Sequence, residues 1–268
     1  MKIGSSVFDS KRKCYIMGIL NMTPDSFSDG GKWSTRDLAL KRAGEMIREG
    51  VDVIDVGGES TRPGYVEVSV EEELDRALPI IEAIVSHFKT PVSIDTYKSR
   101  VAAPALAAGA VLVNDIWGLK KDPDIARVVS ESGASCCIMH NRVNIDYSDF
   151  MSDMLADLGE SVGIAVGAGI PPDKIMLDPG IGFAKTHAMN LEAINKLDML
   201  KSLGYPIMLG ASRKSVIGLA LNLPVEERLE GSLAAAVIGA MRGASFVRVH
   251  DVKQTRMALT MAERIIYG

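Results

Sequence analysis

Eight short segments of the chain end in residues that can ionise, coordinate or donate. Asn21 closes the first and opens NMTPDSFSDGG; Asp55 lies in IDVGGESTRPG, followed by Glu59, Thr61 and Arg62. Asp95 sits in SIDTYK, Asn114 and Asp115 in VNDI, and His140, Asn141 and Arg142 follow SCCIM. Asp178 stands in LDPGIGFAK, Lys214 in SRKS, and Arg248 and His250 in RVHD. Any one such Asp or Ser reads equally well as a helix N-cap. Eight in succession are poorly explained that way, because charged groups are costly to bury without partners; jointly they read as the rim of a ligand site. They separate by charge into two sets. Asp95, Asn114, Asp178 and Lys214 suit a flat heterocycle with an amino-pyrimidinone edge. The two carboxylates accept from adjacent N–H groups, and Lys or Asn serves the carbonyl and ring nitrogens. Asn21, Arg62, Arg248 and His250 suit an anion such as a phosphate or diphosphate, with Mg2+ on Asn21.

Positioning residues this far apart requires a repeated scaffold. Short apolar runs rich in β-branched residues predict strands at Tyr15–Leu20, Val53–Val56, Pro91–Ile94, Val111–Val113, Ser135–Met139, Ile175–Leu177, Pro206–Leu209 and Phe246–Val249. They are continuous rather than alternating, as in a parallel sheet covered on both faces. Amphipathic stretches between them predict helices at 35–49, 70–88, 98–108, 123–132, 149–168, 189–203, 225–242 and 252–266. Gly50, Gly109, Gly133, Gly169, Gly204 and Gly243 follow helical patterns where a left-handed C-cap belongs. Eight βα units with no linker predict one domain over 1–268, an α/β fold of the (β/α)8 TIM-barrel type. The rival doubly wound sheet lacks its GxGxxG turn, and no phosphate-binding GxxxxGK[ST] loop is present. In a barrel of this type chemistry sits at the C-terminal ends of the strands, which is where the eight polar termini fall. Met22–Ser34 and Gly57–Val68 are long for βα connections, where roughly 2–6 residues are usual. They read either as lids over the mouth or as surface decoration.

Composition narrows the class. With 47% hydrophobic and 24% charged residues in 268, the chain is an ordinary globular one and not disordered, collagenous or coiled-coil. A net charge of -4 removes the basic footprint of a nucleic-acid binder. Three cysteines, Cys14, Cys136 and Cys137, with no zinc spacing, read as reduced packing thiols. No apolar run is long enough to span a membrane, and the first residues lack a signal peptide's apolar region; both point to the cytoplasm.

Seven segments carry a resemblance: MGILNMTPDSFSDGG (17–31), IDVGGESTRPG (54–64), SIDTYK (93–98), VNDI (113–116), LDPGIGFAKT (177–186), LGASRKSVIG (209–218) and RVHDV (248–252). In this order they resemble the dihydropteroate synthases of the pterin-binding barrel family. The resemblance implies condensation of 6-hydroxymethyl-7,8-dihydropterin diphosphate with 4-aminobenzoate, giving 7,8-dihydropteroate and diphosphate in folate synthesis. It implies that Asp95, Asn114, Asp178 and Lys214 hold the pterin, with Ile116, Met139 and Phe183 packed near its ring. Arg62, Arg248 and His250 would hold the diphosphate, and Asn21 its Mg2+. Phe27, Thr61, Pro63, Lys214 and Ser215 would shape the aminobenzoate pocket, and Asp29 would lie near the reacting methylene. It further implies that the diphosphate leaves first, with Asp95 and Asp178 stabilising the electron-poor ring; that sulfonamides compete with 4-aminobenzoate; and that the chain forms a homodimer. Residues 189–203 and 225–266 are candidates for the dimer surface, though core packing explains them equally well. After the fifth strand the chain departs from the family's Met-His-Met-x-Gly-like turn, with Met139-His140-Asn141-Arg142. A pterin-dependent methyltransferase would share the pterin residues but has no use for the diphosphate set. A non-catalytic pterin-binding barrel is a third reading.

Overall fold

The computed structural model describes residues 1–9, 11, 13–22, 35–59 and 67–268. A small antiparallel hairpin, β1 (Lys2–Ile3) and β2 (Ser6–Val7), precedes eight parallel strands. These are β3 (Tyr15–Asn21), β4 (Val53–Gly57), β5 (Val92–Asp95), β6 (Leu112–Asp115), β7 (Ser135–Met139), β8 (Ile175–Asp178), β9 (Met208–Leu209) and β10 (Phe246–Val249). Their order is β8-β7-β6-β5-β4-β3-β10-β9. A parallel bridge from Leu177 to Ile207, just ahead of β9, closes the ring. The expected barrel is therefore the observed one.

Side chains alternate across each strand. Ile16, Ile54, Ile94, Val113, Cys136, Leu177, Leu209 and Val247 face outward into the main core, against the helices. The intervening Met17, Val53, Leu112, Cys137, Met176, Met208 and Phe246 form a second apolar cluster inside the barrel, capped by Ile3 and Phe8 of the hairpin. One step further along, the inward positions become Asp55, Asp95, Asn114, Asp178 and Arg248. The strands read as largely apolar runs because both faces are buried, and the charged residues of the inward file come only towards the mouth.

Among the described residues the helices are α1 (Thr35–Arg48), α2 (Val70–His87), α3 (Ser99–Ala107), α4 (Ile125–Ser132), α5 (Phe150–Gly167), α6 (His187–Asn195), α7 (Ser215–Leu221), α8 (Leu229–Met241) and α9 (Val252–Tyr267). The six glycines expected to terminate helices all have positive φ. Two expectations are corrected, and two elements carry no sequence expectation. The helix expected at 189–203 is α6, started by the Thr186 hydroxyl accepting from Met189 N–H, followed by a 3-10 stretch over Leu197–Leu203. The helix expected from 225 begins at Leu229, after a single 3-10 turn at Val225–Glu227. The seven-residue α7 has too few turns to show a period, and Asn222, at φ 55°, ends it. The hairpin strands, two residues each, are also too short to show alternation.

Candidate active site

The mouth of the barrel opens into a cavity of about 380 Å³. Asn21, Asp95, Asn114, Ile116, Met139, Asp178, Phe183, Lys214, Ser215, Arg248 and His250 all line it, so every expected site residue that lies within the described chain converges there. Phe27, Asp29, Thr61, Arg62 and Pro63 fall outside the described residues.

The last residue of β5 and the penultimate one of β6 place Asp95 and Asn114 side by side in register, and β8 adds Asp178. All three are at most 3% exposed. Burial raises Asp95 from the usual carboxylate range, to about 7, with Arg248 pulling the other way. Burial likewise raises Asp178, opposed by Lys214 and by the Gly180 N–H that donates to Oδ1 at 2.7 Å. Lys214 precedes α7 and reaches back across the cavity. Its Nζ donates to Ile181 O at 2.7 Å and sits 4.9 Å from the Phe183 ring centroid. Burial brings Lys214 down to about 8, with Asp178 opposing. The Asp95 Oδ1 and Asp55 Oδ1 atoms are buried without a partner. Unsatisfied buried acceptors carry a free-energy cost; of the two residues Asp95 lines the cavity, so its Oδ1 is where an N–H group of a ligand would be received.

Arg248 stands between the two sets. Its Nε donates to Asp55 Oδ2 at 2.6 Å and its second terminal nitrogen to Asp95 Oδ2 at 2.7 Å. Burial works against its charge, but Asp55 and Asp95 outweigh this and raise its pKa. The two sets separated by charge in the sequence are thus one continuous wall. Beyond it, His250 Nδ1 lies 3.1 Å from the Ser212 hydroxyl. Asn21 ends β3 at the cavity edge, and Gly57 leaves its amide open: a Cβ at Gly57 would stand 3.3 Å from Asn21 Oδ1. One amide oxygen beside an anion pocket suits Mg2+, which keeps most of its waters and takes phosphate oxygens. Among the described residues no three His, Cys, Asp or Glu cluster as a metal centre. An ion here fits only as one accompanying an anionic ligand.

Several residues of the site carry no distinctive sequence signal. Asp55 was visible only as one more polar strand end, yet it joins Asn114 Nδ2, at 3.1 Å, to Arg248. Arg213 has a left-handed backbone, φ 56°, uncommon for a side chain with a Cβ. A two-pronged bond to Asp251, at 2.9 and 2.7 Å, and the Ser232 hydroxyl accepting from Arg213 N–H hold it there. Arg228 lines the cavity from the start of α8 and donates to Arg213 O; nothing in the sequence marks it. His187 begins α6. Cys136 and Cys137 are fully buried in β7, as packing requires.

The model for the family described as pterin binding enzyme matches residues 17–250. A dihydropteroate synthase of Clostridium beijerinckii is 59% identical over 267 residues, covering 99% of each chain. The crystal structure of a Clostridium difficile dihydropteroate synthase in the presence of pteroic acid superposes with a TM-score of 0.94. It is 46% identical, over 98% of this chain and 100% of that one. A Xanthomonas albilineans dihydropteroate synthase with 4-aminobenzoic acid gives a TM-score of 0.92 at 40% identity, over 96% and 94%.

Proposed function

The chain belongs to the pterin-binding enzyme family, and we propose that it works there as a dihydropteroate synthase. This transferase would join 6-hydroxymethyl-7,8-dihydropterin diphosphate to 4-aminobenzoate. The observation that carries the reading is the convergence of Asp95, Asn114, Asp178, Lys214, Arg248, His250 and Asn21 on one cavity. Bound pteroic acid and 4-aminobenzoic acid in the two similar enzymes support the substrate pair.

The pterin's amino-pyrimidinone edge donates to Asp178 and to the unpartnered Oδ1 of Asp95, while Asn114 and Lys214 serve its carbonyl and ring nitrogens. Ile116, Met139 and Phe183 cover the ring. Arg248 and His250 face the diphosphate, together with Arg62. The methylene–oxygen bond breaks first, and the diphosphate departs with the electron pair. Fixed cations at the mouth stabilise that developing charge. The cationic methylene is conjugated to a ring held between two buried carboxylates, which stabilise the charge left behind. The 4-aminobenzoate nitrogen then forms the C–N bond and loses one proton, and no protein nucleophile takes part. Mg2+, carried by the diphosphate and met by Asn21, would supply further neutralisation of the leaving group. Ser215 and Lys214 shape the aminobenzoate pocket, which sulfonamides would share; by the family resemblance Phe27, Thr61 and Pro63 would complete it, and Asp29 would serve the methylene.

We also propose a homodimer. Leu219, Leu221, Ile238, Met241, Met257, Met261 and Ile265 stand exposed on α7, α8 and α9, and apolar side chains gathered in this way favour a protein partner. The three cysteines are unpaired and buried, which suits a reducing compartment such as the cytoplasm.

Incubation with the diphosphate ester and 4-aminobenzoate should yield dihydropteroate and diphosphate in equal amounts. No product would reject the reading. With the ester alone, slow diphosphate release is expected. Release strictly dependent on the amine would replace the stepwise displacement with a concerted one.

A further inference from the structure

Lys185 takes no part in the chemistry above, yet it is one of the most enclosed cations in the molecule. Its Nζ donates to Gly180 O and Phe183 O, both at 3.0 Å, and lies 2.8 Å from His140 Nδ1. All of these acceptors are neutral. Asp178 is the carboxylate that acts most strongly on Lys185, and Asp157 the next. Asp157 reaches it through the imidazole: His140 Nε2 lies 3.0 Å from Asp157 Oδ2, which also accepts from Arg142 Nε at 2.6 Å. Burial and Lys185 keep His140 neutral, down to about 3. One tautomer satisfies the chain, with Nδ1 accepting from Lys185 and Nε2 donating to Asp157.

The β8–α6 connection is wrapped around this ammonium. Gly180, Gly182 and Ala184 have positive φ, at 69°, 88° and 43°, and a Cβ on Gly180 would collide with His140 O. Side chains capture four of its carbonyls. Lys185 takes those of Gly180 and Phe183 from beneath, Lys214 takes Ile181 O from the cavity, and Tyr147 OH donates to Ala184 O at 2.8 Å. Tyr147 in turn lies under the Arg142 guanidinium, 4.4 Å from the ring centroid. Arg142 therefore supports the loop twice, through Asp157–His140–Lys185 and through Tyr147. Phe183, which lines the cavity, rides on the segment these contacts hold.

We propose that Lys185 is a positioning residue for the ring pocket: it fixes the backbone that presents Phe183, and the His140–Asp157–Arg142 row fixes Lys185. This rests on the reading of the cavity as a pterin site. It also gives a role to the Asn141-Arg142 turn at which the sequence leaves its family's pattern.

The test uses pteroic acid as the calorimetric probe, with steady-state KM for both substrates, on the full chain. Lys185→Met keeps the length and removes every donor. We expect about tenfold weaker pteroic acid binding, a comparable rise in the pterin KM, and an aminobenzoate KM within about twofold of the parent. In a Phe183→Ala background the same change should cost less than about twofold. Full additivity of the two substitutions, or unchanged pterin affinity in a folded Lys185→Met protein, overturns the proposal. If that variant does not fold, Tyr147→Phe decides. It loses one bond to the loop and should weaken pteroic acid about threefold in the parent and not at all in Phe183→Ala. No effect in the parent overturns the proposal. A parent protein that binds no pteroic acid overturns the functional reading and this inference with it; parent binding with no variant effect overturns this inference alone.

Discussion

At the lower end of the barrel, Met17, Val53, Leu112, Met176 and Phe246 pack against Ile3 and Phe8, and the layer is apolar but for the buried hydroxyl of Ser93, a residue that pairs in register with Leu112. Two residues further along β4, β6, β8 and β10, the same inward file reads Asp55, Asn114, Asp178 and Arg248. The lower layer gains stability from removing apolar surface from water. The upper layer takes carboxylates and cations out of water, which burial alone disfavours. Raised Asp95 and Asp178 and a lowered Lys214 express that cost. Stability is thus gathered below, and strained electrostatics suited to a ligand are held above, on the same strands.

The largest expected effect tests the lower layer. Phe246 is fully buried and packs edge-on to Phe8, with ring centroids 5.3 Å apart. Phe246→Ala should cost about 3–5 kcal/mol of unfolding free energy, read by urea denaturation, while pteroic acid affinity of the folded fraction stays near the parent value. A large loss of affinity at full stability would dissolve the contrast between the two ends.

The upper layer should also carry the pH dependence. An unfolded imidazole takes its proton below about 6.5, whereas His140, buried beside Lys185, does so only at about 3. Between those values the unfolded state binds more protons, so His140 lowers stability as pH falls through that window. By pH 4 the loss amounts to roughly 3 kcal/mol. Asp95 and Asp115, raised to about 7, act with the opposite sign. A comparison isolates the imidazole: the stability advantage of the parent over His140→Gln should shrink as pH falls from 6.5 towards 3. A constant difference would mean that the histidine is not buried neutral.

Asp178→Asn should separate binding from stability. It removes a buried charge whose pKa burial has raised, so melting temperature should stay level or rise. It also removes an acceptor for the ring edge, and pteroic acid affinity should fall about 100-fold, as for a lost charged hydrogen bond. Unchanged affinity in a calorimetric titration would take Asp178 out of the pterin grip.

Most of this contrast is legible in the chain because a barrel strand announces itself twice, by its apolar run and by the polar residue that ends it. Asp95, Asp178 and Lys214 could be found that way, and so could the six helix-ending glycines. What escaped depends on contacts between distant segments. Asp55 looked no different from its neighbours until Arg248, 193 positions away, was seen to bond to it. The bond that β10 gives Arg248 to Asp95, 153 positions away, has no trace in the chain either. Arg228 and α7 had no signal, since a seven-residue helix and a lone arginine leave no periodicity to detect.

Gly210 offers the finest division between the two layers. It follows β9 on the cavity wall, and its φ is not positive, so alanine meets no backbone penalty there. An added methyl would lie 3.4 Å from Asp178 Oδ2 and 3.8 Å from both Lys214 Nζ and Arg248 Cβ. These are ordinary contact distances, so the fold should accept Gly210→Ala with a stability change within about 0.5 kcal/mol. The methyl would nevertheless occupy space among three side chains that line the cavity. Affinity for pteroic acid should fall about threefold to tenfold by steric exclusion, and calorimetry beside thermal melting would read both quantities. An alanine that binds as tightly as glycine would place the ring away from the Asp178–Lys214–Arg248 corner. An alanine that unfolds the protein would mean that the upper layer is packed as tightly as the lower one.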